Sequence, residues 1–179
     1  MNAVSNPIAL AALNRAIKTI KKGPVPIPSY NSRTADKFVI RGYVELFDEL
    51  GGIGRHQSRS MNSEAVAAVL SGLNGHTRST AMLRVLKQHL GEEVSSRVLL
   101  EVPDFDLAKC RKPKEFVLRF PTDVRDTVRA DVEKASTHAT SMNRWILGSL
   151  VEWIKIQRQL YALLTAAVAI DTVSLGTVG

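Results

Sequence analysis

Two arginines in this 179-residue chain close short alternating segments, and each is followed by the same helix-opening tripeptide. Arg41 closes 38-FVIR-41, after which comes 59-RSMNSEAVAAVL-70; Arg119 closes 116-FVLR-119, after which comes 141-SMNRWILGSLVEWI-154. A guanidinium on an extended segment can donate two parallel hydrogen bonds, which suits guanine O6 and N7 at the edge of a base pair. Lys37 can donate in a similar way. The separation is 24 residues from Phe38 to Asn62 and 27 from Phe116 to Asn143. An internal repeat states what the structural unit is. Here the unit is too small to bury a core alone, so the two copies are expected to fold together.

No pattern for catalysis competes with this one. His56, His76, His89 and His138 do not approach metal-ligand spacing with Cys110 or with one another. No Gly-Lys-Ser/Thr phosphate loop and no Gly-x-Ser-x-Gly elbow occurs. The stretch 51-GGIG-54 lacks the strand–turn–helix surroundings of a dinucleotide fingerprint. Tyr30, Tyr43, Trp145 and Trp153 read as packing residues. The chain is therefore expected not to be an enzyme, and to need neither cofactor nor metal.

The elements that must position the arginines follow from periodicity. Residues 37–41 alternate and are rich in β-formers, which predicts a short strand. Tyr43, Leu46, Phe47 and Leu50 then fall at helical spacing, with Gly51, Gly52 and Gly54 expected to end that helix early. Ser60 is a good N-cap for a helix over about 61–73. A further helix is predicted from about Ser79 to Leu90, closed by Gly91; for Ser95–Leu100 the periodicity allows a turn of helix or a strand. In the second copy Glu115–Phe120 reads as a strand, and Pro121 as the first residue of a helix carrying Val124, Val128 and Val132. After the loop 136-STHAT-140, Ser141 caps a long apolar helix through Trp153 to Leu160 and beyond. Ahead of all this, residues 7–22 read as an amphipathic helix with Arg15, Lys18, Lys21 and Lys22, followed by an extended 24-PVPIP-28 linker.

Strand, helix, loop and Ser-capped helix, led by Phe-x-(Leu/Ile)-Arg, resembles the ribbon–helix–helix family, and most closely its Arc- and Mnt-type repressors. Their motif reads Phe-Asn-Leu/Phe-Arg and then Arg-Ser-Val/Met-Asn-Ser-Glu; 59-RSMNSE-64 matches the latter fully. Two copies in one chain also resemble the TraY accessory proteins of conjugative transfer. The resemblance implies a two-stranded antiparallel ribbon inserted in the major groove, where each base pair shows its own donor and acceptor pattern. Alternation then sends Lys37, Val39, Arg41, Glu115, Val117 and Arg119 toward the bases, and Ile40 and Leu118 toward the core. Phosphate contacts are assigned to Arg59, Ser60 and Asn62, to Ser141 and Asn143, and to Lys112 and Lys114 in the basic connection before the second strand. There are departures from the family pattern. Val39 and Val117 replace a polar reader and can touch only a thymine methyl. Glu115 can accept from cytosine N4 but sits badly beside phosphates. Tyr43 stands where the second copy has Pro121.

Composition agrees with a polyanion partner without requiring one. The net charge is +7; residues 1–112 carry 16 Lys/Arg against 10 Asp/Glu, and 113–179 carry 8 against 7, so the first copy lies in the more DNA-attracting part. A single cysteine, Cys110, fits a reducing cytoplasm. No secretory signal is visible, and the C-terminal apolar run breaks at Asp171, so membrane insertion is not expected. The expected fold is mainly α with a short β-ribbon: tandem ribbon–helix–helix modules plus N-terminal, central and C-terminal helices. The expected divisions are 1–34 (helix and linker), 35–74 (first copy), 75–112 (helical connector) and 113–179 (second copy with extended helix). The expected function is sequence-specific binding of double-stranded DNA, as a transcriptional repressor of a phage or mobile element. It would act in the cytoplasm of a bacterial host on the nucleoid, as a homodimer through the C-terminal helix. The alternative is a protein-interaction factor, antitoxin-like or an inhibitor of a host system, that uses the fold as a scaffold against a protein partner. Whether the two copies pair within or between chains is left open by the sequence.

Overall fold

A computed structural model describes residues 36–121, 123–135 and 141–176. The helix expected at 7–22, the linker after it and the loop at 136–140 lie outside the described residues. The order is β1 (Asp36–Tyr43), α1 (Val44–His56), α2 (Met61–Leu73), α3 (Thr77–Leu90), α4 (Glu92–Glu101), a 3₁₀ turn at Leu107–Lys109, β2 (Pro113–Phe120), α5 (Val124–Ala135) and α6 (Met142–Gly176). Strand–helix–helix thus occurs at β1-α1-α2 and again at β2-α5-α6. The undecided segment around Ser95–Leu100 is helical.

The two strands form one antiparallel sheet within the chain. Val39 lies directly opposite Val117, Phe38 opposite Leu118, Ile40 opposite Phe116, Lys37 opposite Arg119 and Arg41 opposite Glu115. Both strands of the ribbon thus come from one chain. The inward residues of the ribbon feed the core: Ile40, Leu118 and Phe120 are buried with Leu46, Phe47, Val69, Ile146, Leu150 and Ile154. Phe38 and Phe116 are partly buried against that core, and the Phe116 ring stands 5.4 Å from Phe47. A two-stranded ribbon is not stable alone in water. It is held here because its apolar face lies on α1, α2 and α6.

Two local expectations need correction. The glycines at 51, 52 and 54 do not end α1, which runs through them to His56. A Cβ on Gly54 would lie 3.1 Å from the Arg59 carbonyl oxygen and 3.4 Å from Glu64 Cβ. The missing side chain is what lets the chain turn tightly from α1 into α2, and this packing outweighs glycine's poor helix propensity. Pro121 does not open α5, which begins at Val124; Asp123, at φ 67°, takes the left-handed conformation just before it.

α6 is 35 residues long. Its first half lies in the ribbon core. Farther along, Leu163 and Ala167 are buried with Leu90 of α3, and Leu83, Leu86, Val94 and Val98 pack around them. The α3–α4 hairpin of the same chain therefore covers part of the apolar surface that the sequence reading assigned to a second copy. Leu164, Val168 and Ile170 stay exposed. Among the described residues no helix is long and apolar enough to cross a membrane.

Candidate nucleic-acid interface

Alternation along each strand sorts the ribbon residues by face. Lys37, Val39 and Arg41 on β1 and Glu115, Val117 and Arg119 on β2 are all exposed, while the residues between them are buried or partly buried. The six residues that the sequence reading assigned to base contact therefore share one outward face. Down its centre lie Val39 and Val117, 45% and 40% exposed, which is unusual for valines in a sheet and leaves their methyl groups open to contact. At one end Lys37 faces Arg119 across the strands. At the other, Arg41 Nε donates to Glu115 Oε1 at 3.3 Å. Both members of this ion pair are largely exposed, so it stabilises the ribbon little.

The backbone beneath the two arginines is fixed by the asparagines of the Ser-Met-Asn tripeptides, and the fixing is crossed. The Arg119 amide donates to Asn62 Oδ1 at 2.8 Å, and Asn62 Nδ2 donates to the Arg119 carbonyl at 3.2 Å. Symmetrically, the Arg41 amide donates to Asn143 Oδ1 at 2.8 Å, and Asn143 Nδ2 donates to the Arg41 carbonyl at 3.0 Å. In a two-stranded ribbon, the backbone groups that do not face the partner strand would otherwise be open edges. A carboxamide carries one acceptor and two donors, so it completes both groups of one residue as a third strand would. Each asparagine sits in the opening turn of a helix from one half of the chain and holds the arginine of the other half.

The serines beside them act as caps. Ser60 Oγ accepts from the Ser63 amide at 3.1 Å, and Ser141 Oγ from the Arg144 amide at 3.2 Å. Each satisfies one of the amides that a helix start leaves without an intrahelical partner. Arg59, read from sequence as a phosphate contact, places Nη1 3.4 Å from Glu64 Oε2. Glu64 is fully buried and its Oε1 accepts from the Trp153 indole at 2.7 Å, which joins the start of α2 to the middle of α6. Lys112 and Lys114 are exposed beside the ribbon end. The Lys112 carbonyl accepts from the Val44 amide at 2.8 Å, and Glu45 Oε1 accepts from the Arg111 amide at 3.1 Å. These bonds tie the basic connection to the start of α1. Hydrogen bonds from its own amide and that of Arg111 hold the Glu45 carboxyl below the usual carboxylate range.

Alternation alone places these six residues on one face, but it does not reveal the Arg41–Glu115 pair or the crossed asparagines. Centring the antiparallel register on the two outward valines would have set Arg41 opposite Glu115. Nothing local marks the asparagine contacts except the recurrence of Ser-Met-Asn. Among the described residues, no three His, Cys, Asp or Glu side chains gather as a metal site.

An antiparallel ribbon laid on helices, its outward face carrying Lys37, Arg41 and Arg119, defines the class of ribbon–helix–helix DNA-binding proteins. Residues 32–80 match the family described as the Arc-like DNA-binding domain. Transcription factor AmrZ of Pseudomonas ogarae is 33% identical over 97 residues, which span 54% of this chain and 74% of that protein. The chain belongs to the Arc-like DNA-binding family. No solved structure matches it.

Proposed function

We propose that this protein is a transcriptional regulator that binds duplex DNA sequence-specifically, a repressor serving a phage or mobile element in the bacterial cytoplasm. In this reading residues 35–74 and 113–179 are two ribbon–helix–helix copies, and the ribbon they share enters the major groove. The observation that carries it is the single outward face of Lys37, Val39, Arg41, Glu115, Val117 and Arg119 over strands paired within one chain. Three of these can donate to base acceptors, and the valines can meet thymine methyls. Lys112, Lys114 and the amides at the starts of α2 and α6 would take flanking phosphates. A homodimer through the exposed residues of α6, Leu164 and Val168 among them, would set two ribbons on a two-part operator.

The test is a fluorescence-anisotropy titration against duplex from the protein's own upstream region and a scrambled control, at several salt concentrations. Specific affinity about 10³-fold or more above the control, surviving physiological salt, is the expected result. Alanine at Lys37, Arg41 and Arg119 together should abolish that difference. Equal binding to both duplexes that vanishes with added salt would reduce the interaction to counterion release and overturn the reading.

A second reading, a protein-interaction factor, is favoured by a groove of about 1130 Å³ between α1, α4 and α6, where Glu45, Asp48, Glu49 and Glu101 outnumber Arg158, which pairs with Glu49 at 2.9 Å. Such a lining repels DNA and suits a basic protein segment. On this reading the triple alanine variant keeps its effect on the partner protein.

A further inference from the structure

The ends of the ribbon are chemically unlike. In a ribbon built from two identical chains, two-fold symmetry makes both ends identical, and the DNA site is palindromic in consequence. Here both strands belong to one chain, and the pair Val39–Val117 marks the centre. About that centre Arg41 corresponds to Arg119, but Lys37 corresponds to Glu115. We propose that the two ends read different base pairs, so that this chain recognises an asymmetric duplex site, with Glu115 setting the asymmetry. The inference rests on the DNA-reading function proposed above.

At one end Lys37 and Arg119 stand directly across from each other, and both are exposed. Among the described residues no carboxylate pairs with either. Like charges directly opposite on a ribbon repel, and an acceptor-rich edge relieves that repulsion. Among the described residues, the outward face at this end offers donors only. Its complement is a run of acceptors, guanine O6 and N7 above all, or thymine O4. At the other end Arg41 Nε and Glu115 Oε1 lie 3.3 Å apart, so a donor and an acceptor stand side by side. Their complement is one G·C pair, whose guanine accepts through N7 and O6 while its cytosine donates through N4. Among the described residues, only at this end does a carboxylate stand within reach of the guanidinium. Between the ends, Val39 and Val117 offer methyl contact and no hydrogen bond.

Glu115 is exposed, so its replacement tests reading without removing core packing. The full chain, Glu115→Lys and Glu115→Gln are each used to select from a duplex library randomised beneath the ribbon. The enriched duplex and a symmetrised version, in which the half under the Lys37–Arg119 end is copied onto the other half, are then titrated by anisotropy. The natural chain should enrich a non-palindromic site and bind it about tenfold or more tighter than the symmetrised duplex. Glu115→Lys should reverse that preference with changes confined to one half-site, and Glu115→Gln should relax the choice at that half alone. A palindrome enriched by the natural chain, or an unchanged preference in Glu115→Lys, overturns the asymmetry while leaving DNA reading intact. No enrichment by any variant, with binding that falls uniformly with salt, overturns the proposed function itself and the asymmetry with it.

Discussion

Replacing either clamping asparagine should loosen the strand of the other half of the molecule. Asn62→Ala removes two hydrogen bonds to Arg119, at 2.8 and 3.2 Å, and leaves an amide and a carbonyl at an open ribbon edge. Each such bond contributes a net of about 0.5–1.5 kcal/mol. Both asparagines are only partly buried, so water can replace part of what is lost, and the expected destabilisation is about 1–2 kcal/mol. For a chain of this size that lowers the melting midpoint by about 3–6 °C. Amide hydrogen exchange gives the sharper readout. In Asn62→Ala the Arg119 amide should exchange about 5–30 times faster while that of Arg41 keeps its protection; in Asn143→Ala the pattern should invert. The two asparagines act four positions apart along the ribbon, at Arg119 and Arg41, a distance of about 13 Å at the rise of a strand. The double variant should therefore lose the sum of the single effects, within about 0.5 kcal/mol. Accelerated exchange in the strand of the mutated half, or unchanged exchange at both arginines, would refute the crossed arrangement.

The buried Glu64 offers a second test. Glu64→Ala strands the Trp153 indole N–H without its 2.7 Å acceptor and should destabilise by about 2–4 kcal/mol in urea unfolding. Glu64→Gln keeps an acceptor and should lose about 1 kcal/mol, so equal effects of the two would count against the indole bond. At Gly72 an added Cβ would lie 2.7 Å from Ser149 Oγ and 3.1 Å from Ser149 Cβ. Gly72→Ala should therefore destabilise by about 1–2 kcal/mol, although alanine is the better helix former. Adding Ser149→Ala should restore only part of that, because the Cβ remains; stabilisation by Gly72→Ala alone would show that α2 and α6 are less tightly crossed. Glu45 has a lowered carboxyl pKa, so its contribution is present above the unfolded carboxylate value and is lost as pH falls through the folded one. The NMR shift of the Arg111 amide should thus titrate with a midpoint below the ordinary Glu value of about 4.3. A midpoint at or above that value would mean the hydrogen bond to Arg111 does not form.

What could be read from the sequence was what depends on spacing within one element. Alternation at 37–41 and 115–120 marked two strands and the side chains that share a side of each, because a period of two fixes that, while their pairing into a ribbon came from the family resemblance. Ser60 and Ser141 gave the starts of α2 and α6, because a cap acts within three residues. What escaped depends on contact between elements. Gly54 looked like a helix end until the Arg59 carbonyl, 3.1 Å from its absent Cβ, gave the glycine a reason to be inside one. The segment at Ser95–Leu100 has no decisive periodicity of its own, and its helix is stabilised where Val94 and Val98 meet Leu163 and Ala167 of α6. The bonds from Asn62 to the Arg119 backbone left no mark in the sequence because the two residues lie 57 positions apart along the chain.

Pairing within one chain changes what the ribbon can become. When two identical chains build it, each substitution appears at both ends, and a residue that helps at one end must be tolerated at the other. Here Lys37 and Glu115 occupy corresponding places with opposite charge, and Tyr43 and Pro121 lead into helices that start differently. The parts that hold the ribbon do match between its two ends: the asparagine clamps agree to within 0.2 Å at each bond, and both serines cap the third amide beyond them. Symmetry persists where the backbone must be held and is broken where side chains face outward. A purely structural ribbon would gain nothing from placing Lys37 against Arg119, since like charges directly opposite destabilise a strand pair. That repulsion is understandable if an acceptor-rich partner relieves it, which makes the Lys37–Arg119 end the place where loss of a single side chain should weaken DNA binding most.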